Sequence, residues 1–189
     1  MANIQSQRVP IIALFLTSIT AFLSESHMPY VHTYVVYRYA AAIVVIYAFF
    51  RFITFSDKRR ATQLDQVGLL RPLHDGAFLI CTHSHLRHIG VALGGLSPDV
   101  SIEIGLLSWA TILIGHYAPK QPIGLPNRLI NLIPFVTPHS KPTFCQGLII
   151  SGCIGILGTF TATLQIVWLL LPLAITLWLT YKVNTQNAQ

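Results

Sequence analysis

The chain has 189 residues, a formal net charge of +6 at pH 7 and a mean hydropathy of +0.60. Only 10% of its residues are charged, against roughly 25% in soluble domains, so the composition argues against a soluble domain and against a disordered chain. Because the basic residues flank apolar segments and do not alternate with aromatic residues, we expect orientation in a membrane rather than nucleic-acid binding.

Six apolar segments predict transmembrane helices, since roughly 20 apolar residues cross a hydrocarbon core about 30 Å thick. The first is expected to be retained, because Ser24-Glu25-Ser26-His27 is a poor signal-peptide cleavage site. The uncharged stretch 144–181 would be about 57 Å long as one helix, so a hairpin turning near residues 158–163 is predicted instead. The six predicted spans are residues 9–24, 30–50, 76–96, 100–117, 144–157 and 164–181.

Two longer connectors separate these spans. Residues 51–75 are polar, and their basic stretch 51–71, with Lys58-Arg59-Arg60 at its centre, is expected to contact anionic lipid. Residues 118–142 contain six prolines, but their centre at 128–133 is apolar enough to lie along the membrane interface.

The basic residues predict the topology. With both termini inside, every Lys and Arg except Arg38 and Arg87 falls on the inner side, whereas the outer loops carry Glu25 and Asp99. The positive-inside rule therefore favours an all-α integral membrane protein, a bundle of six transmembrane helices that forms one domain over residues 1–189. A bacterial inner membrane or the inner membrane of an organelle is the expected location. The inner residues are Arg8, Arg51, Lys58, Arg59, Arg60, Arg71, Lys120, Arg128, Lys141 and Lys182.

The third span carries an unusual set of ionisable residues, His83, His85, Arg87 and His88, close to its predicted midpoint at Leu86. At about 100° per residue, Arg87 lies near His83 on the helix, while His85 lies about 200° from His83. Ionisable groups at this depth are costly unless they face protein or water, so the third span is predicted to be the central helix.

Small residues predict helix-packing faces on two spans. Gly90 and Gly94 form a GxxxG pair on the third span, and Gly147, Ser151 and Gly155 repeat at the same spacing on the fifth. Such residues allow backbones to approach closely, so both spans are predicted to be buried.

Two charged residues lie at similar depths near the outer ends of different spans. Arg38 lies in the second span and Glu103 in the fourth. Each would be costly if it were unpaired in a membrane, so an ion pair between them is predicted.

The three cysteines, Cys81, Cys145 and Cys153, lie in or beside apolar segments and show no CxxC spacing. Their odd number and spacing argue against a disulfide framework and against a structural zinc site. We expect free thiols that pack as small apolar side chains.

The central cluster allows several interpretations. It can act as polar glue between helices or toward a partner subunit. It can instead ligate haem b through a histidine, with Arg87 pairing a propionate or a quinone carbonyl. A proton or ion path is the third interpretation, because His titrates near neutral pH, and a zinc or copper site is the fourth.

Residues 71–73 (Arg-Pro-Leu) followed by residues 87–93 (Arg-His-Ile-Gly-Val-Ala-Leu) resemble a region of succinate dehydrogenase cytochrome b anchors. The resemblance covers under a seventh of the chain and implies quinone or haem binding at Arg87. Leu86 stands where the family has His, His83 stands where it has Ser, and the family's downstream haem motif is absent.

The sequence predicts a non-catalytic integral subunit of a larger membrane complex, with a respiratory or photosynthetic electron-transfer complex as one setting. Thin loops and two packing faces motivate this prediction, and no motif of a catalytic site is present. The expected partners are other membrane subunits and bound lipids. The alternatives are a haem b or quinone anchor that uses the cluster of the third span, and a small proton, ion or solute transporter with that cluster on its path.

Overall fold

The described part of the computed structural model contains eight helices and no strand, which confirms the predicted all-α class. It comprises residues 8–25, 27, 30–96, 102–121, 123–161 and 165–187, with the side chains of 25, 30–36, 102, 165 and 187 not described. The helices are α1 (Arg8–Glu25), α2 (Tyr30–Ser56), α3 (Lys58–Gln66), α4 (Leu70–Ala92), α5 (Ile102–Tyr117), α6 (Leu125–Asn131), α7 (Lys141–Gly158) and α8 (Gln165–Asn187).

Two helices are both long and apolar enough to cross a membrane, over Tyr37–Ser56 in α2 and Ile166–Gln186 in α8. This supports membrane association only weakly, because the core helix of a soluble protein can pass the same test. The all-helical class is therefore confirmed, whereas the bundle of six transmembrane spans stays a prediction. The predicted hairpin in the C-terminal segment agrees with the structure, since α7 ends at Gly158 and α8 begins at Gln165.

The connector predicted at residues 51–75 is mostly helical. Asp57 ends the long α2 and begins α3, because its side chain accepts a hydrogen bond from the Arg60 backbone N–H at 3.0 Å. Gly68, with φ of 70°, separates α3 from α4. The polar composition of this segment suggested a loop, because the charged side chains of its helices project outward.

Helix α4 occupies a different stretch from the predicted span 76–96. It begins at Leu70 and ends at Ala92, where Gly94 adopts φ of 72° and Gly90 O accepts hydrogen bonds from Gly95 and Leu96. Its midpoint is therefore residue 81 rather than residue 86, so the ionisable cluster lies nearer the end of α4 than predicted.

Helices α1, α2 and α4 pack together, as do α5, α7 and α8, and the contact between α4 and α5 joins the two groups. A small apolar core of Ala13, Ile43 and Phe78 lies in the first group. In the second, Phe144 and Cys145 belong to a core that includes residues of the segment between α5 and α7.

Contacts between loops and helix ends bring together the segments that carry most of the basic residues, while Arg38 and Arg87 lie elsewhere, within α2 and α4. The Leu125 backbone N–H donates to Val67 O at 2.7 Å, which places the beginning of α6 against the turn before α4. The Thr137 hydroxyl donates to Asn184 Oδ1 at 2.6 Å, which ties the segment before α7 to the end of α8. We call this side of the bundle the basic end.

Many large apolar side chains lie at the surface, and several polar side chains are buried beside the apolar cores. Phe22 on α1 is 73% exposed and Trp178 on α8 is 59% exposed, and many other large apolar side chains also lie at the surface. Thr17 on α1 and Ser151 on α7 are completely buried instead. Soluble proteins rarely expose apolar surface so extensively.

Candidate functional site

His83 lies on the side of α4 that faces α5 and the end of α7. Its Nε2 is 3.2 Å from the hydroxyl of Thr159, the residue directly after α7. The rings of Trp109 and Phe160 pack edge-on against the imidazole, with centroid distances of 6.4 and 5.4 Å. A Cβ at Gly105 would lie 3.0 Å from His83 Nε2, so the glycine leaves room for the ring. His83 therefore connects three elements of the bundle.

His85 lies on the other side of α4, where α1 and α2 pack. Its side chain is completely buried, and its Nε2 lies 2.7 Å from the Thr20 hydroxyl on α1. The Tyr39 ring on α2 packs edge-on against it at 5.5 Å, and His88, which is half-buried, lies 6.1 Å from the same ring. The cluster thus consists of separate parts: His83 and His85 contact different helices, while His85 and His88 share Tyr39.

The ionisable residues do not form a continuous polar line along α4. His74 and His85 occupy the same face, separated by about 16 Å of helix. Between them lies Phe78, which is completely buried in the apolar core with Ala13 and Ile43. Arg87 is buried one turn beyond His83. Apolar packing around Phe78 therefore separates the ionisable residues at one end of α4 from those at the other end.

The small residues predicted to pack helices occupy two kinds of place. On α7, a Cβ at Gly147 would lie 2.2 Å from Thr176 of α8, and Ser151 lies 3.2 Å from the Thr176 hydroxyl. A Cβ at Gly155 would contact Ser108 of α5, so this face fits between α5 and α8.

The glycine pair of the third span is placed differently. A Cβ at Gly90 would meet Leu96 in the turn that ends α4. Gly94 lies in that turn, outside the helix, and a Cβ there would have no heavy atom within 4 Å. The structure therefore gives Gly94 a role in ending α4, because only glycine adopts a positive φ without strain.

Arg38 on α2 and Glu103 on α5 both carry exposed side chains. The ion pair predicted between these two residues stays a prediction. The described cysteines, Cys81, Cys145 and Cys153, are free thiols. Among the residues that the structure describes, no group of three or more His, Cys, Asp and Glu side chains is placed to hold a metal ion.

Sequence analysis missed a hydrogen-bonded group at the basic end. His74 Nδ1 lies 2.8 Å from Asp75 Oδ1, and the Tyr117 hydroxyl donates a hydrogen bond to Asp75 Oδ2. Burial would raise the pKa of the Asp75 carboxyl, but hydrogen bonds from His74 and Tyr117 lower this pKa below its usual value. Asp75 directly precedes the predicted third span. A single carboxylate at that position was the sequence signal that could have indicated this hydrogen-bonded group.

Comparisons with known proteins do not assign this chain to a family. No protein-family model, curated protein or solved structure matches the chain. The short resemblance to succinate dehydrogenase anchors over residues 71–93 stays a resemblance.

Proposed function

We propose that this chain is a multi-pass integral membrane protein that serves as a non-catalytic structural subunit of a larger membrane complex. The observation that carries this proposal is the surface: many large apolar side chains are exposed along the helices, while several Ser, Thr and His side chains and Arg87 are buried. Lipid or apolar partner helices are the surroundings that such a surface requires.

The six spans would lie within α1, α2, α4, α5, α7 and α8, and the third would begin at Gly76, directly after Asp75 at the basic end. Of these, α5 is the shortest, and its 16 described residues cover about 24 Å, which approaches the thickness of a hydrocarbon core. The basic end then faces the inner side, and the basic stretch 51–71 contacts anionic lipid there.

The contacts of the central cluster support a structural role for it. Thr159 occupies Nε2 of His83, and Thr20 occupies Nε2 of His85. Haem ligation through either nitrogen would first have to break an interhelical hydrogen bond. Phe78 interrupts the polar residues along α4, which counts against a proton or ion path. Interhelical hydrogen bonds of this kind stabilise bundles in membranes.

One observation favours haem or quinone binding as a second candidate. His88 is half-buried next to Arg87 and contacts Tyr39, so its ring is more accessible than that of His83 or His85. A cofactor at this outer end would therefore use His88 first, with Arg87 beside it to pair a carboxylate or carbonyl.

Purification in mild detergent tests the proposal. A structural subunit should co-purify with stoichiometric membrane partners on size-exclusion chromatography and should show no flux when it is reconstituted alone in proteoliposomes. A monodisperse single chain that transports an ion would contradict the structural role. A visible Soret band that disappears in His88→Ala, and persists in the matched control His27→Ala, would replace that role with the haem candidate.

A further inference from the structure

A cavity of about 540 Å³ opens at the basic end, between the end of α5, helix α6 and the beginning of α7. Ala118, Cys145 and Ile149 give it an apolar wall. Gly115 and three prolines also line it, together with five polar or basic side chains. These five are His116, Lys120, Asn127, Lys141 and Gln146.

The positive charges of this cavity have neutral partners. Lys120 Nζ lies 2.7 Å from His116 Nε2. Lys141 Nζ donates to Asn131 Oδ1 at 2.9 Å and also to Asn127 Oδ1. Amide oxygens and a neutral imidazole nitrogen hold the ammonium groups in place but do not neutralise them.

None of the described residues that line the cavity is Asp or Glu. The chain contains no Asp or Glu after Glu103, although Lys120, Arg128, Lys141 and Lys182 all follow it. The described residues give neither Lys120 nor Lys141 a salt bridge. The nearby Asp75 carboxylate interacts electrostatically with His116, but its two oxygens bond His74 and Tyr117. Two ammonium groups therefore line one concave site that has no carboxylate in its described lining, an arrangement that attracts anions.

We infer that this cavity is a binding site for a phosphate-bearing anion. Phosphate oxygens accept charge-assisted hydrogen bonds from lysine. Lys120 lines the cavity from the turn after α5, and Lys141 lines it from the first residue of α7. The site differs from the basic stretch 51–71, whose Lys and Arg residues are all exposed and do not line the cavity. The anion can be the headgroup of an anionic phospholipid at the inner interface, or a soluble phosphate. The inference does not depend on the structural role proposed above.

The test uses the full-length protein with two double variants. Lys120→Gln/Lys141→Gln removes both ammonium groups of the cavity, and Lys58→Gln/Lys182→Gln removes the same charge from the basic end outside it. In the lipid arm, delipidated protein is titrated with phosphatidylglycerol or phosphatidylcholine, and bound lipid is counted by native mass spectrometry. In the soluble arm, thermal unfolding is followed with inorganic phosphate against chloride at equal ionic strength.

The cavity variant should lose affinity about tenfold or more relative to the control variant in one arm. A loss confined to phosphatidylglycerol assigns a lipid headgroup, and a loss confined to inorganic phosphate assigns a soluble anion. Equal affinity of the cavity variant and the control variant in both arms would overturn the inference. Lys141 also bonds Asn127 and Asn131, so the cavity variant could unfold. In that case Lys120→Gln alone is measured against Lys58→Gln, and Lys120→Gln should again bind the anion more weakly. Equal affinity of these two single variants would also overturn the inference.

Discussion

Gly152 on α7 is the position where a single methyl group should disturb the bundle most directly. A Cβ there would lie 2.6 Å from the backbone carbonyl oxygen of Ser108 and 2.5 Å from Ile112 Cγ1, both on α5. Overpacking of this kind costs about 3 kcal/mol when backbone must move, and alanine returns about 1 kcal/mol of helix propensity over glycine. We therefore expect Gly152→Ala to lower the free energy of unfolding by about 2 kcal/mol.

The assay is reversible unfolding in mixed micelles, followed by circular dichroism. Gly95→Ala is the matched control, because its new Cβ would have only an ordinary contact of 3.6 Å with Gly90 O. The control should change the unfolding free energy by no more than about 0.5 kcal/mol. If Gly152→Ala were as stable as the wild type, the close approach of α5 and α7 would be refuted.

Three further predictions concern polar contacts. Thr20→Val should destabilise the fold by about 1–3 kcal/mol in the same assay, because His85 Nε2 loses its hydrogen bond from α1; an unchanged stability would contradict this contact. Tyr117→Phe should cost about 1–2 kcal/mol by removing a hydrogen bond to the Asp75 carboxylate, and a cost near zero would show that this bond contributes little. Because the folded pKa of Asp75 lies below its unfolded value, its contribution to stability is present above pH of about 4 and disappears as the pH falls through the folded pKa. Acid titration of Asp75→Asn should show a weaker loss of stability than the wild type, and identical acid profiles would rule out this linkage.

Helical class and the C-terminal hairpin could be predicted because they follow from composition and length. The uncharged stretch 144–181 is too long for one span, so a turn was required, and α7 does end at Gly158. The first and last residues of α4 were harder to predict from the sequence, because the polar residues 51–75 suggested a loop. Gly68 and Gly94, which adopt positive φ at the two ends of α4, carried the missing boundary signal.

For the candidate site, helical geometry predicted that His83 and His85 face different directions, and they contact different helices. It could not predict that Thr159 and Thr20 are the partners, because those contacts depend on the tertiary packing of α7 and α1. The group formed by Asp75 and Tyr117 was missed for the same reason, since the two residues are brought together only where α4 meets α5.

Substituted-cysteine labelling in sealed membrane vesicles tests the membrane arrangement most directly. In a variant without the native cysteines, single cysteines are placed at Lys58 and Lys120 on the basic end, and at Gly95 and Thr161 on the opposite end. An impermeant maleimide should label the first pair from one side of the membrane and the second pair only from the other side. Labelling of all four positions from the same side would contradict a bundle that spans the membrane.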